Sequence, residues 1–285
     1  MKSITLCIVL VCCLSLCGFS QTGFFIKNAD IEKWYIEDPS KEEEIKKVLK
    51  NKEFKESTRG RLSVEEVVPL FHFVDIDNNG TLDLLFHGKI FNVYHTFVFY
   101  KKDDTYTTLI GEKGSIAYAN QPNGDNCLEL AIWKEGCCGD FTNSYTQYIC
   151  LNNSDNPYFE KISKSLLFRR TAFPSKRFER PIAFKTNKTA NLRTESVVDD
   201  QKEIGGKDKW KGNTVSLYPA NAKGTIYAEA KDGNNEIWYF VRMNNESGIM
   251  IQENRFITNN MKPEDIKGFF SYGWIKSSDI TIDGK

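Results

Sequence analysis

The chain has 285 residues, with 38 lysines and arginines against 38 acids, so its formal charge at neutral pH is zero. A chain without net charge exerts no long-range pull on polyanions, which excludes nucleic-acid binding by bulk electrostatics. Past the first twenty residues no stretch approaches 18 uninterrupted apolar residues, so no transmembrane segment is expected there.

Lys2 is the only charge in the first 23 residues, and an apolar run from Ile4 to Leu16 follows it. That run is short for a membrane span and suits the core of a signal peptide. Gly18 and Ser20 place small residues where signal peptidase reads them, so residues 1–20 are expected to be removed and the protein exported, to the periplasm or beyond. Leu14-Ser15-Leu16-Cys17 also resembles a lipobox that would anchor the chain through Cys17, but Leu16 stands where a small residue is needed.

Residues 21–170 are expected to form an antiparallel-sheet domain with one helix. Ser40 and Glu43 have capping-box spacing, and Ile45, Val48 and Leu49 follow at helical intervals, so the helix is predicted over 40–52. From Val67 the pattern changes to short β-branched and aromatic runs at 67–74, 82–87, 93–101, 104–110, 126–133 and 145–151, divided by Gly, Asn and Asp clusters. His72, His87 and His95 lie in or beside these runs, where packed histidines are more common than ligands.

The sharpest local chemistry is Asp75-Ile76-Asp77-Asn78-Asn79-Gly80-Thr81-Leu82-Asp83. A hard divalent cation takes oxygen ligands, and alternate residues of a curled loop direct theirs inward. Asp75, Asp77, Asn79 and Asp83 would supply side-chain oxygens, Thr81 its carbonyl, and Gly80 the sharp turn. No helical pattern precedes the loop and Phe86 occupies the place of an EF-hand's bidentate Glu. The segment resembles instead the strand-flanked calcium loops of FG-GAP and related integrin-type repeats, a resemblance that implies a structural calcium ion. No second copy occurs, so a propeller is not implied. A metal-free Asx-rich turn is the competing reading.

Four cysteines lie beyond the signal: Cys127, Cys137, Cys138 and Cys150. If 126–133 and 145–151 are the arms of one hairpin, Cys127 stands opposite Cys150 at a separation a disulfide can bridge. Cys137 and Cys138 then share the turn Gly136–Asp140, as a structural bridge or as a redox or metal element; the absence of CxxC spacing and of nearby histidines favours the bridge.

Between 161 and 193 there are ten basic residues and one acid, Glu179, with Phe168, Phe173, Phe178 and Phe184 interleaved. Such a stretch suits a polyanion surface, but the acids just downstream offset it, and Pro174 and Pro181 mark residues 171–189 as a basic connector.

The last part, 190–285, resembles the bacterial SH3-like (SH3b) family. The match runs through Asn191-Leu192-Arg193, Lys211-Gly212-Asn213, Gly224-Thr225-Ile226-Tyr227, Trp238-Tyr239-Phe240-Val241 and Gly273-Trp274-Ile275. It implies a small β-barrel with Leu192, Val215, Val241 and Ile275 pointing inward. The stretch 242–272 is long for a strand connection, and 263–270 has the pattern of a short helix. Aromatic grooves on such barrels take extended ligands, which makes Trp238, Tyr239, Tyr272 and Trp274 candidates for ligand binding, with core packing as the alternative.

The resemblance implies a cell-wall peptide or an envelope protein as partner. No nucleophile elbow, zinc-protease helix, phosphate loop or Cys-His pair accompanies these parts, so the sequence reads as a non-enzymatic binding protein. The alternatives are an envelope hydrolase whose acids lie in the first domain, and a secreted inhibitor or immunity protein.

Overall fold

Strand runs that are apolar at consecutive positions must bury both faces, and this dictates the layering of the amino-terminal half. The computed structural model describes residues 38, 40–120, 127–136, 142–153, 156–168, 170–201, 203–204, 210–244 and 269–282. These fall into two units, one of residues up to 134 together with 145–162, the other of 135–144 and everything from 163 on. The protein is mainly β. The signal segment 1–20, Cys17, Cys137, Cys138 and most of the stretch 242–272 lie outside the described residues.

In the amino-terminal unit, helices α1 (Lys41–Val48), α2 (Lys52–Thr58) and α3 (Val64–Val67) precede strands β1 (Phe71–Val74), β2 (Asp83–Ile90), β3 (Val93–Lys102) and β4 (Thr105–Lys113). These strands form an antiparallel sheet in sequence order. Alternate residues divide its faces. Phe71, Phe73, Leu84, Phe86, Phe97 and Phe99 pack with Ile45, Val48 and Phe54 of the helices. Val74, Leu85, Val98 and Ile110 pack on the other side with Ile116, Leu128, Leu130 and Ile132. Those last residues belong to or adjoin β5 (Ser115–Asn120) and β6 (Glu129–Lys134), which neighbour β7 (Thr142–Asn153) and β8 (Asn156–Phe168) in strand order. Phe54 is the centre of the first core, with its ring 5.1 Å from both Phe86 and Phe97, 5.7 Å from Phe99 and 5.8 Å from Phe71.

The single helix expected over 40–52 is broken in two, because Asn51 caps a new helix by accepting the Phe54 N–H at 3.2 Å. Ser40 makes no side-chain cap; it bonds Asp38, while Glu43 pairs with Lys46. The capping box is formed instead by Ser63 and Glu66, which explains the Glu65-Glu66 pair as first-turn acids. Residues 64–70 are therefore helical where a strand from 67 was expected. Glu44 pins α1 to the sheet: burial alone raises its pKa, but hydrogen bonds from Tyr106, Lys101 and Lys47 outweigh burial and hold the carboxyl at about 2.

The carboxy-terminal unit contains β9 (Ile182–Thr186), β10 (Ala190–Arg193), the short ribbon of β11 (Glu203–Ile204) and β12 (Trp210–Lys211), β13 (Thr214–Tyr218), β14 (Lys223–Lys231), β15 (Ile237–Asn244), β16 (Phe269–Lys276) and β17 (Ile280–Ile282). Antiparallel ladders run β17-β9-β14-β15-β16. Strand β10 pairs with β13 and meets β16 at Arg193 and Trp274. Leu192, Val215, Val241 and Ile275 all lie in one buried core. Among the described residues the ladders do not close into a barrel. The edge of β16 that β10 would occupy is shared with the end of β8, which pairs parallel to Phe269–Tyr272.

The segment expected to be a connector carries β9, whose alternation of Ile182, Phe184 and Thr186 with Ala183 and Lys185 buries Phe184 in that core. The chain before it crosses β15 and β16. Trp274 Nε1 donates to the Ala172 carbonyl at 2.6 Å, the Phe173 ring is 5.2 Å from Phe240, and the Phe178 N–H donates to the Tyr227 carbonyl at 2.7 Å. The Asn-Leu-Arg motif has a structural role: buried Arg193 donates to Asp200 at 2.8 Å and to Asn213 Oδ1 at 2.7 Å, and Asn213 Nδ2 holds the Val197 carbonyl at 2.8 Å. Among the described residues no helix is long and apolar enough to cross a membrane.

Candidate functional site

The loop from Asp75 to Asp83 joins β1 to β2, whose pairing Val74↔Asp83 brings its two ends together. Positive φ at Asn78 and Gly80 curls the chain between them. Asp75 closes the curl, accepting the Asn79 N–H at 3.0 Å on one oxygen and the Gly80 N–H at 2.7 Å on the other. Asp83 is 0 % exposed and accepts the Ile76 N–H at 3.1 Å and the Lys101 N–H at 2.7 Å. One ligand oxygen from each of Asp75, Asp77 and Asp83 lies within 4.8 Å of the others.

Asp77 distinguishes this cluster from a self-satisfied turn. It is 9 % exposed, its Oδ2 accepts from Asn79 Nδ2 at 3.0 Å, and its Oδ1 is buried without any hydrogen-bond partner. A buried carboxylate oxygen left unpaired is costly, and a cation between the three acids removes that cost. Burial pushes the Asp83 carboxyl up to about 7, and the nearby Asp77 and Asp75 add to the rise against its two backbone hydrogen bonds. Burial first, then Asp75, raises Asp77 as well. The three acids therefore fit a hard cation by donor chemistry and by placement.

Of the five residues expected as ligands, the structure gathers Asp75, Asp77 and Asp83. Within the loop, Asn79 Oδ1 accepts the Thr81 N–H at 2.6 Å. Sequence reasoning missed Asn152 of β7, whose Nδ2 donates to the Asp77 carbonyl at 3.0 Å and braces the loop from outside. Nothing local in the sequence marks that contact, which spans 75 residues. Beneath the loop, the Leu128 N–H donates to the Ile76 carbonyl and the Cys150 N–H to the Leu128 carbonyl, each at 3.0 Å.

Cys127 and Cys150 are brought together as expected, but as two free thiols. Burial, with Cys127 beside it, pushes the Cys150 thiol up to about 12. The candidate docking aromatics fare differently. Trp238, Tyr272 and Trp274 are all buried, and Tyr239 packs half-buried against the core. Trp238 Nε1 is anchored on Asp232 at 3.2 Å, and Trp274 lies under Ala172 and against Phe240. Trp274 is covered by the chain just before β9 and Trp238 is held by Asp232, so both are placed as packing residues.

Two open pockets were not foreseen. In the amino-terminal unit a pocket of about 390 Å³ is lined by Glu56, Arg59, His95, Glu112 and Lys113 among others. His95 Nδ1 bonds the Val93 carbonyl at 2.9 Å, which leaves Nε2 for the pocket, and burial lowers its pKa so that the ring is neutral. In the carboxy-terminal unit a groove of about 270 Å³ is lined by Lys223, Thr225, Arg242, Asn244 and Phe270 among others. There the Arg242 guanidinium lies 4.4 Å from the Phe270 ring centre. The chain matches no protein-family model, no curated protein and no solved structure with which it was compared.

Proposed function

We propose that this chain is an exported, non-enzymatic binding protein of the bacterial cell envelope, in which one calcium ion sets the amino-terminal unit and an SH3-like carboxy-terminal unit meets a peptide or cell-wall ligand. The observation that carries the reading is the trio Asp75, Asp77 and Asp83, with the buried Asp77 Oδ1 unpartnered. Calcium suits it because a hard ion takes several carboxylate oxygens in flexible geometry, and the small site lies on a loop rather than in a reaction cleft. Its role is structural. Export is supported by the charged start, apolar run and small residues of the first twenty positions.

The SH3-like reading is supported by the shared core of Leu192, Val215, Val241 and Ile275 and by the ordered motifs around them. With Trp238, Tyr272 and Trp274 inside, the ligand surface moves to the groove of Arg242 and Phe270. A guanidinium stacked on a phenyl ring offers a flat cationic platform for a peptide carboxylate. Retention on purified cell wall tests this. Arg242→Ala and Phe270→Ala should each lower retention with the fold intact, and failure of the unaltered protein to bind wall contradicts it.

One observation favours a second reading, a hydrolase: the amino-terminal pocket holds two carboxylates, Glu56 and Glu112, beside neutral His95. Tyr148 Oη donates to Glu112 at 2.9 Å and orients it. Turnover of glycan or peptide substrates that disappears in Glu112→Gln would establish this reading, and its absence across both substrate classes removes it.

A further inference from the structure

The β2–β3 hairpin ends in an apolar apex that the fold does not need. Ile90 pairs with Val93, so the turn consists of Phe91 and Asn92 alone. Their φ angles are 51° and 66°, as a type I′ turn requires. Asparagine tolerates that conformation; a bulky phenylalanine does not, and Asn or Gly at position 91 would fold with less strain. Strain of this kind, held in place by surrounding structure, points to use rather than stability.

Three large apolar side chains also reach solvent together at this apex. Phe91 is 49 % exposed, Val93 44 % and Tyr94 42 %, whereas Ile90 beneath them is buried. Cations flank the rings. The Arg59 guanidinium is 5.1 Å from the Phe91 ring centre and Lys89 Nζ is 5.0 Å from that of Tyr94, whose other neighbour is the uncharged His87 ring, stacked at 5.4 Å. No acid occurs from Lys89 to Tyr94, and the acids near Arg59, Glu56 and Glu112, share a pocket with Lys113.

We propose that this hairpin tip docks on an anionic lipid bilayer, with Phe91, Val93 and Tyr94 entering the interface while Arg59 and Lys89 meet the headgroup phosphates. Aromatic rings at a membrane interface, with long basic side chains reaching back to the charged layer, match this arrangement. Size decides against a protein partner. A stable protein interface buries about 800 Å² per side, and three half-exposed side chains on one convex turn supply a small part of that. A shallow wedge with cationic shoulders suffices for reversible peripheral attachment.

Co-sedimentation of the full chain with vesicles tests the proposal, comparing phosphatidylcholine alone with phosphatidylcholine containing phosphatidylglycerol. The protein should partition several-fold more to the anionic vesicles, and less as salt rises. Phe91→Asn should lower partitioning roughly fivefold or more while leaving the melting temperature unchanged or raised, because the turn is relieved. Lys89→Gln should weaken the anionic preference. The proposal fails if the unaltered protein ignores anionic vesicles, if Phe91→Asn binds them as well as the parent, or if the tip captures a protein partner while vesicles are ignored.

Discussion

The carboxylates of Asp77 and Asp83 come within 4.8 Å of each other inside the amino-terminal unit, and among the described residues no cationic side chain pairs with either. Asp83 alone would be a satisfied buried acid, since both of its oxygens accept backbone amides. Asp77 is the one that is not, because its Oδ1 is buried without a hydrogen-bond partner. This relationship makes a cation the simplest completion of the loop.

The aromatic centre of the first core is the most sensitive packing site. Phe54 touches four phenylalanine rings from three strands, so Phe54→Ala leaves a cavity the sheet cannot collapse to fill. The expected loss is about 3–5 kcal/mol in a urea denaturation series. A loss below about 1 kcal/mol would mean that the helices are only loosely seated.

His72 gives the protein an acid-sensitive limb. Burial, then Lys41 and His87 nearby, lower its pKa from the ordinary 6.5 to about 4. Between these values the unfolded chain binds a proton that the folded chain refuses, so stability falls as pH drops from 6.5 toward 4. The shift sets a ceiling of about 3 kcal/mol. His72→Phe also removes a buried, unpartnered Nδ1 and should flatten that limb in melts taken across this window. An unchanged slope would show that other groups govern it.

Gly273 is required by close approach. A Cβ there would lie 2.6 Å from the Arg193 carbonyl and 2.9 Å from Leu192, where β10 meets β16. Gly273→Ala should destabilise by about 1–3 kcal/mol and speed amide exchange in β10 and β13. Unaltered exchange there would show that the two strands part without strain.

The thiols of Cys127 and Cys150 are placed to join under oxidising conditions, giving up two protons and two electrons to an oxidant such as oxidised glutathione. Peptide mapping without reductant should recover the two peptides linked, and reduction should lower stability by about 2–4 kcal/mol. Alkylation of both thiols in the oxidised, native protein would contradict the pairing.

What could be read beforehand was whatever is local. The Asp75–Asp83 spacing and the inward set Leu192, Val215, Val241 and Ile275 need only short-range pattern, and the structure gathers the three aspartates and all four apolar residues. Features made by distant segments escaped. The burial of Trp274 depends on Ala172, 102 residues away, and the brace on Asp77 comes from Asn152. The second helix, Lys52–Thr58, starts where the predicted one ends, and Asn51 reads as its cap only once the Phe54 N–H is seen to donate to it. Strand β9 was hidden by the basic residues around Phe184, whose charges read as a connector while its ring fills the core.

Calorimetry on chelator-treated protein addresses the central claim most directly. Calcium should bind with measurable heat at one site per chain and raise the melting temperature of the amino-terminal unit, and Asp77→Asn should abolish both effects while leaving the protein folded. No heat and an unmoved melting temperature would contradict the account and leave the aspartate loop a metal-free turn.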